Sequence, residues 1–413
     1  MRESYRIAGI DVHKRMLAVV VADAAAEGEW QFERRKFGTT DSGLQELSEW
    51  LKEQQVVEAV MESTAQYWKP VWHQLEGGCE LFLAQAHSNR APRGRKWDYR
   101  DSERLVRRHV AGELILSFVP DAEQRMWRTI TRTKHQLTRD RVRLQNQLES
   151  LLEEAHLKLG TRVSDLLGVS SRRMLQAIAE GATDPAAVAG LALPEPRATP
   201  QQLADALAAV PHMSGLHRQI LKLFLERLQL IESQIATLRD SIAGALEEHQ
   251  SAVRRLAAVP GFGVDSAQQV IAEVGPEAAT FPSAGELASW VGVCPGQNES
   301  AEVSTSSRSP KGNRTMRRVL DQVAQAAVKT KGSIFESLYR RWLPRLGHQK
   351  AIWAIAHRLC RLTWKILHQK IEYIEYGQLR SLKAVQRRTS KLIRELRSLG
   401  YQVTPPALPQ VCS

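Results

Sequence analysis

The 413-residue chain contains only four cysteines, and no two of them form a Cys-x-x-Cys pair. This spacing excludes a zinc knuckle and gives no reason to expect disulfide bonds. No apolar run approaches the length that a bilayer requires, and the N-terminus lacks the apolar segment of a secretory signal peptide. These absences predict a cytoplasmic protein without a membrane partner, in which the thiols are passive: Cys79, Cys294, Cys360 and Cys412.

Acidic residues are the minority among the charged residues. The chain has 45 acids and 57 lysines and arginines, which gives a net charge of +12. Such an excess favours a polyanionic partner. A second basic tract occupies residues 380–397 and predicts a nucleic-acid-binding tail. The first tract surrounds two acids at positions 98 and 101, which favours a phosphate-binding surface over a merely solvated face: Arg90, Arg93, Arg95, Lys96, Arg100, Arg104, Arg107 and Arg108.

Short apolar segments near the N-terminus predict β-strands, and two of these segments end on an acid. Asp11 lies at the end of the segment 7–12, and Glu62 follows the segment 56–61. Small and β-branched residues bounded by polar ones are typical of buried strands, where a carboxylate needs a cationic neighbour. Further strands of the same sheet are predicted at 16–21 and, more weakly, at 81–83.

Asp98 and Asp101 open a predicted helix at 102–111, and their spacing places both carboxylates on one helix face. Either acid alone is explained as a first-turn residue favoured by the helix dipole. Together with the strand-end acids Asp11 and Glu62, they predict a Mg²⁺ or Mn²⁺ site for phosphodiester chemistry, because hard divalent cations prefer carboxylate oxygens. This chain order of acids is typical of a ribonuclease H (RuvC-like) nuclease fold.

Beyond residue 120 the apolar period changes to that of long coiled-coil helices. Residues 182–200, rich in Ala and Pro, predict a linker or loop between two such helices. The helices can pair with each other as an antiparallel hairpin or with another protomer, and the sequence leaves both arrangements open. The first seam comprises Ile130, Leu137, Leu144, Leu148 and Leu151, and the second comprises Leu221, Phe224, Leu228, Ile231, Ile235, Leu238, Ile242 and Ala245.

The segment 259–263, Val-Pro-Gly-Phe-Gly, precedes a predicted helix at 265–273 and favours a helix-hairpin-helix. Its glycines, Gly261 and Gly263, would expose backbone N–H groups to phosphate, although a turn between two structural helices has the same pattern. A polar loop with Ser300 then faces a turn at the start of a helix near Met316. A hydroxyl beside such a turn predicts a nucleophile next to a phosphate site, with these turn residues: Lys311, Gly312, Asn313 and Arg314.

Seven short motifs occur in a fixed order on both sides of the long helical insert. They are Gly-Ile-Asp-Val-His-Lys at 9–14, Met-Glu-Ser-Thr at 61–64, Lys-Trp-Asp-Tyr-Arg-Asp at 96–101, Pro-Gly-Phe-Gly at 260–263, Gly-Val-Cys-Pro at 292–295, Asn-Glu-Ser at 298–300 and Lys-Gly-Asn-Arg at 311–314. With these motifs the chain resembles, over nearly its whole length, the DEDD transposases of bacterial insertion sequences, which are bridge-RNA-guided recombinases.

The resemblance implies a fold that joins an α/β part to an all-α part. It predicts a RuvC-like DEDD nuclease domain at 1–120 and a coiled-coil helical region at 121–250. A mostly helical transposase domain with the helix-hairpin-helix and the catalytic serine is expected at 251–375, followed by a basic tail at 376–413.

The resemblance also implies the chemistry. Asp11, Glu62, Asp98 and Asp101 would bind Mg²⁺, and Ser300 would attack DNA to give a phosphoserine intermediate. The chain departs from the family where a glycine and then a basic residue usually follow this serine. Here Ala301 follows, and alanine adopts a positive φ only with strain. Three other serines therefore remain weaker alternatives as the nucleophile: Ser304, Ser306 and Ser307.

The partners implied are donor DNA, target DNA, a non-coding guide RNA and further copies of the chain, as a homodimer or homotetramer in which two protomers share one active site. The lack of a zinc finger or basic zipper agrees with selection of DNA by base pairing to RNA. The predicted nucleic-acid contacts are Arg93, Arg95, Lys96, Arg100, Gly261, Gly263, Lys311, Asn313 and Arg314.

Two other classes of function remain open from the residues. A metal-dependent nuclease of the Holliday-junction type would need the four acids but not Ser300. A nucleic-acid-binding scaffold, including a catalytically decayed transposase copy, would need only the basic tracts and the hairpin motif. Covalent attachment of the protein to DNA distinguishes these classes.

Overall fold

The computed structural model describes residues 5–24, 30–62, 65–86, 97–193, 198–296, 298–300, 303–306, 309–375 and 382–403; for 298–300, 303–306 and 382–388 it describes the backbone only. The chain divides into two compact units, Met1–Asp121 and Ala122–Ser413. Among the described helices, none combines the length and the apolar character needed to cross a membrane.

The first unit is built on a five-stranded sheet. In chain order its strands are β1 (Arg6–Val12), β2 (Met16–Asp23), β3 (Glu33–Gly38), β4 (Val56–Glu62) and β5 (Glu80–Ala84). Their order across the sheet is β3-β2-β1-β4-β5, with β1, β2 and β3 antiparallel and β1, β4 and β5 parallel. The four predicted strands are confirmed. The edge strand β3 was missed because its sequence, Glu-Arg-Arg-Lys-Phe-Gly, has a single large apolar residue and therefore no apolar alternation.

Three helices cover the two faces of this sheet: α1 (Asp41–Glu53), α2 (Trp68–Leu75) and α3 (Asp98–Val110). Because side chains alternate along a strand, Ala8 and Ile10 of β1 belong to the core beneath α1 and α2. Ile7 lies on the opposite face and packs with Leu105 and Val106 of α3. Odd-numbered residues of β1 therefore face α3.

The contact between α3 and β1 depends on Gly9. A Cβ atom on Gly9 would collide with the carbonyl oxygen of Ser102 and lie 2.7 Å from Cγ2 of Val106. Ser102 is fully buried, and its hydroxyl donates a 2.8 Å hydrogen bond to the carbonyl oxygen of Ala18 on β2. The backbone of α3 thus lies directly on the centre of the sheet.

The second unit is mostly helical, as predicted. Its helices are α4 (Ala122–Glu154), α5 (Val169–Ala179), α6 (Pro185–Ala189), α7 (Pro200–Ala206), α8 (Gly215–Ala245), α9 (Gln250–Ala257), α10 (Val264–Val274), α11 (Ala284–Val291), α12 (Arg314–Ala327), α13 (Ile334–His368) and α14 (Leu382–Ser398). A kink at Gly347, where φ is 74°, divides α13. Two short strands, β6 (Asn298–Ser300) and β7 (Val303–Ser306), form an antiparallel hairpin.

The long helices α4 and α8 pack against each other within the chain. Arg141 Nε lies 2.8 Å from Glu232 Oε1, and His217 Nε2 lies 3.6 Å from Glu154 Oε1, so the two helices run antiparallel. Their leucine seams share one buried core, which includes Leu144, Leu148 and Leu151 of α4 with Leu221, Leu228 and Ile231 of α8. Of the two arrangements left open by the sequence, the structure shows the intramolecular hairpin.

The prediction of a linker at 182–200 was wrong in part. Asp184 caps α6, Pro185 occupies its first turn, and Val188 and Ala189 are buried in the core of the α4–α8 hairpin. Residues 194–197 of this segment lie outside the described residues. The Ala- and Pro-rich composition concealed a short helix because proline is well tolerated at a helix start.

The cysteines agree with the expectation of passive thiols. Cys79, Cys294 and Cys360 are free thiols in the described chain, and Cys412 lies outside it. Burial raises the pKa of Cys79 to about 11, and burial also raises the pKa of Cys360. A thiol with a raised pKa is protonated at neutral pH and is a poor nucleophile or metal ligand.

Gly9→Ala should destabilise the first unit by about 1–3 kcal/mol, because the added methyl group must push α3 away from β1. Chemical denaturation followed by circular dichroism measures the loss. Gly38→Ala is the matched control, since it is a strand glycine of the same sheet whose Cβ would find no atom closer than 3.7 Å. Equal stability of the two variants would contradict this account of the α3 contact.

Candidate metal centre and serine hairpin

Strand geometry brings Asp11 and Glu62 to the same edge and the same face of the sheet. Strands β1 and β4 are parallel, and their register pairs Ile10 with Met61, so the next residues are neighbours. Asp11 shares the face of Ile7 and Gly9, and Glu62 shares the face of Val60, which packs with α3. Both carboxylates therefore lie on the side covered by α3.

The first turn of α3 supplies the other two acids. Asp98 is the first residue of α3, and Asp101 follows one turn later. The helix dipole favours carboxylates at this end of a helix. Because Gly9 and Ser102 fix α3 against the sheet, this turn lies beside the end of β1. At the other end of α3, His109 Nε2 lies 3.2 Å from Glu58 Oε2 of β4. This is a second polar contact between the helix and the sheet.

The other three acids act electrostatically on Asp11. Only 13 % of the Asp11 side chain is exposed, and burial is the largest cause of its raised pKa. The His13 imidazole acts in the opposite direction and lowers the pKa of Asp11, whereas the carboxylates of Asp101, Glu62 and Asp98 raise it further. All four predicted acids therefore contribute to one site of concentrated negative charge.

Basic side chains line this carboxylate cluster of Asp11, Glu62, Asp98 and Asp101. His13 Nε2 lies 3.0 Å from Asp11 Oδ2 and 3.7 Å from Asp98 Oδ1. Lys36 Nζ of β3 lies 3.2 Å from Asp98 Oδ2, and Arg104 Nη1 lies 2.7 Å from Asp101 Oδ1. The sequence prediction did not include His13 or Lys36. His13 stands in the 9–14 motif and could have been found there, but the position of Lys36 follows only from the undetected strand β3.

The donor set fits a divalent cation. One ligand atom from each of Asp11, His13 and Asp98 lies within 4.8 Å of the others. Carboxylate oxygens suit Mg²⁺ or Mn²⁺, and a bound cation would stabilise the ionised form of Asp11, whose pKa is raised by burial and, to a smaller extent, by the neighbouring acids. Asp11, His13 and Asp98 can therefore hold a metal ion without a change of fold, and this closest group does not include Glu62 or Asp101.

An exposed aromatic ring with two cations lies at the entrance to α3. Trp97 is 48 % exposed and is the N-cap residue of α3. The guanidinium carbons of Arg100 and Arg34 lie 5.6 Å and 5.8 Å from its ring centroid. Aromatic rings paired with arginine are typical of surfaces that contact nucleic-acid bases and phosphates. Of the other predicted contacts here, Arg93, Arg95 and Lys96 lie outside the described residues.

In the second unit, the predicted helix-hairpin-helix consists of α9, the turn and α10. Gly261 has a φ of 89°, and a Cβ there would collide with the carbonyl oxygen of Val323 and lie 2.6 Å from the Ala327 nitrogen of α12. This glycine is therefore required for close packing against α12. Gly263 is exposed, and a Cβ there would meet open space. Gly263 is thus the turn glycine with room for a ligand.

The turn 311–314 is held by backbone packing against the end of α11. A Cβ on Gly292, where φ is 76°, would lie 2.7 Å from the Pro310 carbonyl oxygen. A Cβ on Gly312 would collide with the Val291 carbonyl oxygen. Arg317 Nη1 also donates a 2.9 Å hydrogen bond to the Pro310 carbonyl oxygen. Lys311 and Arg314 are both exposed at the surface of this turn.

Asn313 was predicted to contact phosphate, and the structure shows that it also has a structural role. Its Oδ1 accepts a 3.0 Å hydrogen bond from the Met316 N–H and caps α12, while its Nδ2 donates a 2.9 Å hydrogen bond to Glu273 Oε2. Glu273 is fully buried and also accepts 2.8 Å and 2.9 Å hydrogen bonds from Arg132 of α4. The buried Glu273 carboxylate thus connects the exposed Arg132 of α4 and Asn313 at the start of α12 to α10.

Ser300 is the last residue of β6, and its backbone pairs with Val303 of β7. The alternatives Ser304 and Ser306 lie in β7. The side chains of these three serines lie outside the structural description, as does the whole of Ser307. The structure thus places Ser300 at the end of a short hairpin that precedes the 311–314 turn in the chain.

Comparison with known proteins identifies two family models along the chain. The model of the DEDD transposase of IS110 matches residues 8–157, which include the carboxylate cluster. The model of the IS116/IS110/IS902 transposase family matches residues 253–340, which include the serine hairpin. Together the two matches cover more than half of the chain.

Two relatives agree with these matches. The chain is 26 % identical, over 317 residues, to a probable family 20 transposase of Pseudomonas aeruginosa, which covers 75 % of this chain and 83 % of that protein. It is 24 % identical, over 177 residues, to an uncharacterised 42 kDa protein of insertion element IS900 from Mycobacterium paratuberculosis, which covers 43 % of this chain and 44 % of that protein. The chain belongs to the IS110 family of DEDD transposases and is a DNA transposase.

Proposed function

We propose that this transposase cleaves and rejoins DNA strands in a composite site, in which the Mg²⁺-binding carboxylate cluster of one protomer acts with the Ser300 hydroxyl of another. The proposal is supported by the placement of Asp11 and Glu62 at the ends of the neighbouring parallel strands β1 and β4, and of Asp98 and Asp101 in the first turn of α3. The family implies DNA substrates and a divalent metal, and the ligand atoms of Asp11, His13 and Asp98 lie close enough together to bind such a metal.

We infer that the first unit has a ribonuclease H-like fold of the RuvC type. Support comes from the strand order β3-β2-β1-β4-β5, in which three antiparallel strands are followed by two parallel ones. Further support is that acids at the ends of β1 and β4 meet acids at the start of α3. Such a sheet edge gives the carboxylates a rigid support, which a metal centre requires.

A divalent cation held by these carboxylates would neutralise charge on a phosphate and orient its reacting oxygens. Lysine and arginine side chains near the cluster would also neutralise phosphate charge. Lys36 and Arg104 lie beside Asp98 and Asp101, and Arg100 and Arg34 flank the exposed ring of Trp97. These side chains would hold the phosphates on either side of the scissile bond.

Ser300 is the proposed nucleophile. A bond forms between its Oγ and the scissile phosphorus, the bond from phosphorus to one deoxyribose oxygen breaks, and the proton lost by the serine balances the alkoxide that leaves. Lys311 and Arg314, exposed on the turn that follows the serine hairpin, would contact the adjacent phosphates. Gly263 would present its backbone N–H to the same strand. The reverse of this reaction with a different deoxyribose hydroxyl rejoins the strands.

A non-coding guide RNA is the proposed source of sequence specificity, and a homodimer or homotetramer around donor and target DNA is the proposed assembly. Basic side chains such as Arg34, Arg100, Lys311 and Arg314 contact phosphate irrespective of base sequence. The predicted basic tail at 376–413 would add to this non-specific affinity. Base pairing would then select the DNA.

Asp11→Asn should abolish strand cleavage and at the same time stabilise the fold at neutral pH. Because the folded-state pKa of Asp11 is raised, ionisation of this carboxylate costs stability above that pKa, and the variant removes the cost. The gain should vanish as the pH falls towards the ordinary aspartate value of 3.8. Cleavage assays in Mg²⁺ and melting curves across pH measure both effects.

The same melting curves test the metal. Mg²⁺ should raise the Tm of the wild-type protein and should not raise that of Asp11→Asn, because the ligand set is broken. Glu62→Gln, Asp98→Asn and Asp101→Asn should also lose cleavage, whereas Asp41→Asn, an exposed acid on α1, should keep it. Full cleavage activity in Asp11→Asn would refute the metal centre.

Ser300→Ala should abolish formation of a covalent protein–DNA adduct. In the wild-type protein with DNA and Mg²⁺, the adduct should appear as a denaturant-resistant band that nuclease digestion removes. The variant should keep DNA and RNA binding, because loss of one hydroxyl costs about 1 kcal/mol or less. Ser304→Ala and Ser306→Ala are the matched controls. Cleavage without any adduct in the wild-type protein would instead favour a hydrolytic nuclease of the Holliday-junction type.

Removal of bound RNA should abolish site-specific recombination before it abolishes DNA binding. The non-specific affinity should remain and should fall steeply with salt, since it arises from contacts between cations and phosphates. Filter binding at several salt concentrations and a recombination assay, each before and after ribonuclease treatment, measure the two properties. Unchanged site selection by RNA-free protein would contradict the guide-RNA proposal.

A further inference from the structure

The helix α14, Leu382–Ser398, exposes a row of leucines to solvent. The exposed fractions of Leu392, Leu396 and Leu399 are 49 %, 39 % and 70 %. The N–H of Leu399 donates a hydrogen bond to the carbonyl oxygen of Glu395, so the helical path extends to this residue. None of the buried apolar clusters in the described part of the chain includes a residue of α14. The leucine row is thus available to another molecule.

The spacing of this row is that of a coiled-coil seam. With Leu382 at position a of a heptad, the a and d positions alternate at intervals of three and four residues. They are occupied by Leu382, Val385, Thr389, Leu392, Leu396 and Leu399, of which only Thr389 is polar. A surface helix that binds only a polyanion needs cations but no such seam. The seam therefore indicates that another helix is the partner.

The charges of α14 are arranged around the seam in a way that permits pairing. Its excess cations all occupy positions b, c and f, which face away from a paired helix: Lys383, Arg387, Lys391, Arg394 and Arg397. The flanking g positions hold one cation and one anion, Arg388 and Glu395. The basic face and the apolar seam are thus separate surfaces of one helix.

We propose that α14 pairs with α14 of a second copy of this chain as an antiparallel coiled coil. In that arrangement Leu382 lies opposite Leu399 of the second copy, Val385 lies opposite Leu396, and Thr389 lies opposite Leu392. Position g faces position g in an antiparallel pair, so Arg388 of each copy meets Glu395 of the other. A parallel pair would place these charges beside Ile393 and Gly400, without a partner.

The paired helices carry the cations of both copies on their outer surfaces. The pair would join two transposase protomers and present phosphate-binding faces on opposite sides. The contact area of a helix of this length is small, and isolated helices of about this size are marginal. The pairing therefore depends on the tethering of both helices to larger bodies, which raises their effective concentration. The test accordingly uses the full chain.

Leu392→Asp/Leu396→Asp in the full-length protein should weaken self-association at least tenfold in sedimentation velocity across a concentration series. Ser390→Asp/Ser398→Asp is the matched control, since it adds the same two charges at positions b and c. The control should associate as the wild-type protein does. Unchanged melting temperatures exclude unfolding as the cause, because α14 contributes nothing to the described cores.

A charge exchange tests the antiparallel register. Arg388→Glu and Glu395→Arg should each weaken association, and the double variant should restore it. If the seam variant associates normally but loses DNA binding, α14 docks on nucleic acid and the proposal is overturned. If the double exchange does not restore association, the antiparallel arrangement is overturned.

Disulfide trapping gives a second measure that other contacts between protomers cannot mask. In a Cys412→Ser background, Leu382→Cys/Leu399→Cys should form a covalent dimer on mild oxidation, whereas Leu399→Cys alone should not. A dimer from Leu399→Cys alone would show a parallel pair, and no dimer from either variant would overturn the pairing. These measurements need neither metal nor catalysis, so their outcome does not depend on whether the proposed strand-cleavage chemistry is correct.

Discussion

The contact between the backbone of α3 and the backbone of β1 at Gly9 is the constraint on which the candidate metal centre depends. No side chain fits at this position, because the Ser102 carbonyl and Val106 Cγ2 occupy the space that a Cβ would need. The hydrogen bond from Ser102 to Ala18 fixes the helix along its axis, and the His109–Glu58 pair fixes its far end. The first turn of α3 consequently reaches the end of β1.

This placement has an electrostatic cost. Four carboxylates share one edge of the sheet, and burial together with the other three acids raises the pKa of Asp11. A surface that evolved for stability alone would disperse these charges, so the cluster is typical of a functional site held by its surroundings. The nearby cations of Lys36 and Arg104 offset part of the repulsion, and the His13 imidazole lowers the pKa of Asp11. A divalent cation would offset more of it.

In the second unit, glycines likewise allow backbone segments to pack closely against each other. Gly261 lets the turn after α9 lie against α12, and Gly292 and Gly312 let the loop before α12 lie against the end of α11. The buried Glu273 adds a polar connection, since it bonds both Arg132 of α4 and Asn313 at the start of α12. Arg128 Nε lies 3.6 Å from Glu273 Oε2, so two arginines of α4 compensate the charge of this buried carboxylate. The long α4–α8 hairpin is thereby joined to the turn that exposes Lys311 and Arg314.

The sequence by itself determined four of the five strands and the long helices, because these features depend on local apolar periodicity, and it predicted the four acids as metal ligands from side-chain chemistry. It also left the pairing of α4 with α8 open, since a leucine seam is the same whether its partner is in the same chain or in another. Tertiary structure alone decided that β3 completes the sheet and brings Lys36 to Asp98. It also decided that Gly261 packs against α12 and that Asn313 binds Glu273, because both contacts are made with residues distant in sequence.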